Sequence, residues 1–206
     1  MPESTRTLAG LDLIGGSHAL DLSNTINSRI APEHDYLATY GDLVAWAERA
    51  TAISGATARI LSARGRNDRP AAERALRHAH GLRDAVYRTF SAIAAGERVA
   101  LSDLRRVLRA YGAAVSRGSL RQRRAGMELE WPAASRATVL DPIAYAAGAL
   151  LLSTDRPPIK ECPGCGWLFL DHSRNGSRRW CDMRTCGSRD KMRRYYRTRR
   201  SGKARV

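Results

Sequence analysis

Apolar residues recur at every third or fourth position through most of the first 153 residues, and this spacing predicts a helical body. Ala19, Leu22, Ile26 and Ile30 share one face of a helix expected over 18–30, with Ser17 as its N-cap and Pro32 helping to stop it. Thr39 and Asp42 form a capping box that opens a helix burying Leu43, Trp46, Ala47 and Ala50. A short helix is expected from Ser54 to near Gly65. The longest periodic run starts at Pro70, a good first-turn residue, and carries Ala72, Ala75, Leu76, Ala79, Leu82, Val86, Phe90 and Ile93 inward to about residue 95. Ser102 is the expected cap of the next helix, with Leu104, Val107, Leu108 and Tyr111 on its buried side.

Past residue 118 the period changes. Met127, Leu129 and Trp131 alternate with Glu128 and Glu130, so 119–124 and 127–131 read as a hairpin about Ala125-Gly126. The run IAYAAGALLL predicts a central buried helix over about 142–153, and Pro157-Pro158 marks a linker. The expected organisation is therefore a helical domain over 1–156 and a small module over 159–206. As a whole the chain is expected to be mainly α with a small β component.

Composition agrees with a packed helical body, since 43% of residues are apolar and only 6% aromatic. No apolar run approaches the length of a membrane span. The N-terminus lacks the features of a secretory signal, so the expected compartment is the cytoplasm. In that compartment clustered cysteines hold metal more often than they form disulfides.

All four cysteines lie in the small module, spaced Cys162-x2-Cys165-x15-Cys181-x4-Cys186. Two close pairs joined by a hairpin-length spacer suit a tetrahedral four-sulfur zinc site, and Cys162-Pro163-Gly164-Cys165-Gly166 reads as a zinc knuckle. Asn175-Gly176 predicts a turn between strand-like runs at 167–170 and 178–181. Ser188 is the expected cap of a basic helix running to about Arg200, with Met192, Tyr195 and Tyr196 packed on the hairpin. Knuckle, hairpin and helix in this order make a treble clef. A module of this size needs its zinc, because it buries too little apolar surface to fold alone. Four thiolates leave no open coordination position, so the zinc is expected to be structural and the module not an enzyme.

Charge points to a partner. The net charge is +15, and residues 159–206 hold 14 Lys and Arg against 4 Asp and Glu. Arg174, Arg178, Arg179 and Arg184 fall on or beside the hairpin, and Arg189, Lys191, Arg193, Arg194, Arg197 and Arg200 on the helix. Such a concentration of guanidinium suits the phosphates of nucleic acid, with DNA the expected partner. A solvated helix that only keeps the protein soluble is the plainer reading. RNA or an acidic protein surface is the alternative partner. His172 with Asn175 hints at a metal-dependent nuclease, but the helix offers only Asp190 as a further ligand.

The segment CPGCGWLFLDHSRNGSRRWCDMRTCGSRDKMRRYYRTR resembles the CGNR-type zinc finger of bacterial transcription regulators. GGSHALDLSNTINSR, HDYLATYGDLVAWA and LRDAVYRTF resemble the ABATE domain that precedes such fingers. The resemblance implies a DNA-binding regulator with a treble-clef finger. Ser188 departs from the family pattern, which has Asn there.

In the ABATE-like part, Asp21, Asn24, Thr25, Arg29, Arg83 and Tyr87 match the family's LDxxNT and LRxAxYR patterns and interrupt apolar faces. Two readings are open: an internal hydrogen-bond network, or a pocket for a small-molecule effector bordered by His34 and Asp35. An enzyme hidden in this domain would need a nucleophile, a base and a group to orient it, and none is apparent. His18, His78 and His80 stand singly, and the last two face different sides of one helix. No coiled-coil seam indicates an oligomer.

Overall fold

The computed structural model describes residues 7–124, 126–131 and 139–203, the last five as backbone only. Six helices form the body: α1 (His18–Ser23), α2 (Tyr40–Arg49), α3 (Gly55–Asn67), α4 (Arg69–Ala95), α5 (Leu101–Arg117) and α6 (Asp141–Leu152). The hairpin β1 (Ser119–Arg123) and β2 (Gly126–Glu130) links α5 to α6, pairing Leu120 with Leu129. After it come β3 (Ile159–Glu161), β4 (Leu168–Leu170) and the terminal helix α7 (Ser188–Lys203). The chain is thus mainly α with two small antiparallel sheets, as expected. Among the described residues no helix is long and apolar enough to cross a membrane.

The long helix α4 is the axis of the body. Its first turn is capped by Asp68, whose side chain accepts from Ala71 N at 3.0 Å, and Pro70 follows. Ala72, Ala79, Leu82, Val86 and Phe90 are buried along one side, where α1, α2, α3 and α5 pack. α2 starts with the capping box read from Thr39 and Asp42, and buries Leu43, Trp46 and Ala47. α6 lies between α5 and α1, as close to α5 as a glycine allows. A Cβ at Gly148 would come within 2.2 Å of Tyr111 Cγ, so the small residue sets this helix spacing. Tyr145 and the terminal Leu152 are exposed on α6, and the Tyr145 ring lies 5.8 Å from that of Tyr111.

Several sequence expectations give way here. α1 ends at Ser23, not near residue 30, because polar side chains capture the carbonyls that a longer helix would use. Ser23 Oγ donates to Leu20 O at 2.7 Å and Thr25 Oγ1 to Leu22 O at 2.8 Å. Ile26 instead bridges Asp35, and Ile30 is 62% exposed. α5 begins at Leu101, with Ala100 in the cap position and Ser102 already helical; Leu108 is solvent-facing. Ala125, expected at the turn of the first hairpin, lies outside the described residues.

In the module, β4 pairs with β3, ahead of the knuckle, and not with residues 178–181. The knuckle itself forms the hairpin turn, with Cys162 N donating to Trp167 O at 2.9 Å and Gly166 N to Cys162 O at 2.8 Å. The Asn175-Gly176 turn is real but is organised by buried Asp171. Asp171 accepts from Ser173 N (2.9 Å), Arg178 N (3.0 Å) and Lys160 Nζ (2.8 Å), and Lys160 in turn reaches the carbonyls of Gly176 and Arg178. The Lys160 bond, with those of Ser173, drives the Asp171 carboxyl far below the usual range.

Candidate metal centre

Cys162 and Cys165 come from the knuckle, Cys181 from the segment behind the Asp171 loop, and Cys186 from a wide helical turn, Met183–Gly187, that leads into α7. All four are buried and none is disulfide-bonded. Their sulfurs lie within 4.8 Å of one another, with Cys165 and Cys181 Sγ 3.5 Å apart. A tetrahedral zinc with Zn–S near 2.3 Å needs sulfur separations of about 3.8 Å, so the cluster fits one structural ion. No other group of metal ligands occurs among the described residues, and His172 and Asn175 are exposed.

The donor set calls for a cation on chemical grounds. The neighbouring S–H groups, that of Cys165 foremost, drive the Cys162 thiol down, and that thiolate drives Cys165 and Cys181 up. Four thiolates at this distance therefore require a divalent ion to ionise together. Backbone N–H groups of Trp167 and Cys181 serve the sulfurs of Cys165 and Cys162, and Arg189 Nη2 donates to Cys186 Sγ at 3.8 Å.

Ser188 does not cap α7. Its backbone is helical and its hydroxyl donates to Met183 O at 3.0 Å. The cap lies upstream at Asp182, which accepts from Arg184 N at 2.6 Å. Helical winding thus runs unbroken from the fourth zinc ligand into α7, which makes the ion the base of that helix. A capping Asp before an uninterrupted turn was a signal available in the sequence.

The arginines fall into three groups. Arg178 is structural: it stacks over Phe169 at 4.4 Å, donates from Nε to Trp180 O at 3.0 Å, and also binds Cys181 O. Arg189 serves Cys186, and Arg184 is paired with Asp182 at 2.9 Å. Arg174, Arg179, Lys191, Arg193, Arg194 and Arg197 are all exposed, with Arg179 lying over the Trp180 ring. Arg193 and Arg194 share Asp190 at 3.7 and 2.8 Å. The side chain of Arg200 lies outside the described residues. Met192, Tyr195 and Tyr196, expected to pack on the hairpin, are instead about half exposed, at 49%, 51% and 58%. Among the described residues α7 packs mainly on the turn Met183–Gly187 that leads into it, which leaves these three side chains largely uncovered.

The polar residues of the body dock the zinc module. Asn24 accepts from Leu168 N and donates to Leu168 O, both at 2.9 Å, so one side-chain amide completes the open edge of β4. Arg29 N donates to Cys165 O at 2.7 Å, Trp167 Nε1 to Ile26 O at 2.7 Å, and Leu170 N to Gly15 O at 2.9 Å. Tyr87 donates to Glu161 at 3.0 Å, and Ser91 binds the other oxygen of that carboxylate. Burial, then Glu161, pushes the Tyr87 phenol up, which keeps it a donor. The Arg29 guanidinium spans Ser23 O and Asp84 and lies 4.4 Å over the Tyr87 ring. The contact is tight at Gly166: its φ of +74° favours glycine, and a Cβ there would sit 2.8 Å from Arg29 Cβ.

Behind this dock, Arg83 grips Asp35 with two bonds of 2.7 and 2.8 Å and Thr25 Oγ1 at 3.3 Å. Burial opposes ionisation of Asp35, but the Arg83 bonds prevail and hold its carboxyl below the usual range. Asp21 accepts from Gly15 N at 2.8 Å; burial pushes its carboxyl up to about 6 against the lowering effect of that bond. Each of these residues has a hydrogen-bond partner within the fold. His34 lies edge-on to Tyr36, His80 meets Leu37 O at 2.9 Å, and burial lowers His18. The dock was missed in the sequence because nothing local pairs Asn24 with a strand 144 residues away.

Comparison with known families accords with this geometry. Residues 159–200 match the family model of the CGNR zinc finger. Residues 16–154 match the ABATE model, described as "Putative stress-induced transcription regulator". No curated relative matches the chain. With a zinc-ligand cluster at one end and the ABATE match over most of its length, the chain belongs to the ABATE family and carries a CGNR zinc finger behind that domain.

Proposed function

We propose that the protein is a cytoplasmic, non-enzymatic transcription regulator whose treble-clef finger binds duplex DNA. One observation carries the reading. A helix rooted on the zinc ligands is exposed from Lys191 to Thr198 and carries Lys191, Arg193, Arg194 and Arg197, with Asp190 pairing Arg193 and Arg194. Arg174 and Arg179 extend the same basic surface onto the finger. Tyr195, Tyr196 and Met192 lie among these cations, offering apolar contact to base edges once phosphates are engaged. The regulator description of the family supports the reading.

The test is a salt titration on duplex DNA with the zinc-loaded chain. Six cations neutralising six phosphates give log K falling against log salt with a slope of about −5. R193E/R197E should flatten that slope and weaken binding on every sequence. Absence of binding at low salt refutes the proposal, and tighter binding to single-stranded RNA in competition transfers the finger to the alternative partner.

A further inference from the structure

On the side of the body away from the finger's dock, α4, α5 and the start of α6 enclose a cleft of about 690 Å³. Its floor is apolar, formed by Leu82, Ala75 and Ala144. Its rim is cationic. Arg74 rises from α4, while Arg106 and Arg109, three residues apart and hence on one helical face, rise from α5. Arg117 closes one end and is already paired with Asp141, the only acid in the lining. Asp103, on α5 one turn before Arg106, is held by Arg88 at 2.6 and 2.8 Å. Arg74, Arg106 and Arg109 make no ion pair among the described residues.

Arg74, Arg106 and Arg109 all line this cleft, and although Asp103 acts on Arg106, they leave it with an excess of positive charge that an anion set among them would offset. The volume lies in the range of small-molecule sites, and a largely apolar lining with a few convergent charged groups is their usual chemistry. We propose that this cleft binds a small organic anion, its carboxylate or phosphate head held by Arg74, Arg106 and Arg109 and its hydrocarbon body seated on Leu82, Ala75 and Ala144. His78 also lines the cleft from α4. The site is separate from the Asp21–Arg83 network, and it shares with the dock only the helix α4, which carries Tyr87 and Ser91 further along.

Calorimetric titration of the full zinc-loaded chain with octanoate, octyl phosphate, octanol and inorganic phosphate tests it. Octanoate or octyl phosphate should bind at least tenfold more tightly than both octanol and inorganic phosphate. R74Q/R109Q, at exposed positions where folding is not at stake, should weaken the anion about tenfold or more. R77Q, on the same helix but paired with Glu73, should leave binding unchanged. Equal binding of octanol removes the role of the head group, and equal binding of inorganic phosphate removes that of the floor. Failure of both amphiphiles to bind at millimolar concentration, an undiminished R74Q/R109Q, or an equal loss in R77Q each overturns the site.

Discussion

Replacing Asn24 with alanine isolates the dock between body and finger. Asn24 is 1% exposed and Leu168 fully buried, and the amide meets both backbone groups of Leu168 at 2.9 Å. Water cannot take over at such a depth, so N24A leaves one N–H and one C=O buried without partners. Each orphaned group costs about 1–3 kcal/mol, which places the total loss at roughly 2–6 kcal/mol. N24D should be no milder: its carboxylate can accept from Leu168 N but sets a second oxygen against Leu168 O. Urea unfolding of the zinc-loaded chain measures the total, and amide exchange at Leu168 reports the local opening. A loss below about 0.5 kcal/mol with Leu168 still protected would show that the amide does not close this strand edge.

The same reasoning extends to the metal and to pH. Chelating zinc, or the substitution C165A, should abolish metal binding and α7 helicity, and should also raise exchange at the Arg29 amide, a body group bonded to Cys165 O; unchanged protection of Arg29 after zinc loss would refute that coupling. Asp21 holds its proton up to about 6 in the folded chain against 3.8 ordinarily, so the folded state binds more protons in that window and its stability falls as pH rises through it. D21N, which keeps an acceptor for Gly15 N, should gain on the wild type by roughly 2 kcal/mol between pH 4 and 7, and parallel stability curves for the two proteins would refute the argument.

What could be read in the sequence was whatever depends on near neighbours. The capping box of Thr39 and Asp42, the long stripe of α4 and the four ligand positions follow from local spacing, and the structure shows each of them. The family patterns LDxxNT and LRxAxYR marked Asn24, Arg29 and Tyr87 as special without showing their purpose. Their partners, Leu168, Cys165 and Glu161, lie in the finger, and only the tertiary fold brings them together. Two misreadings share one cause. The length of α1 and the cap of α7 were inferred from residue preference, whereas Ser23, Thr25 and Ser188 donate their hydroxyls to carbonyls one turn back. The exposure of Tyr195 and Tyr196 also escaped prediction, because apolar spacing on a helix says nothing about whether a neighbour is present.

Asn24 also limits how this protein can be cut and recombined. A finger transplanted to another scaffold would carry a ragged flank at Leu168 and a bare carboxylate at Glu161, both fitted to a surface left behind. The remaining stump would keep an amide shaped for a strand no longer there. Chimaeras should therefore be spliced inside α7, beyond the last residue that touches the rest of the chain, where a foreign helix could be exchanged without disturbing the joint.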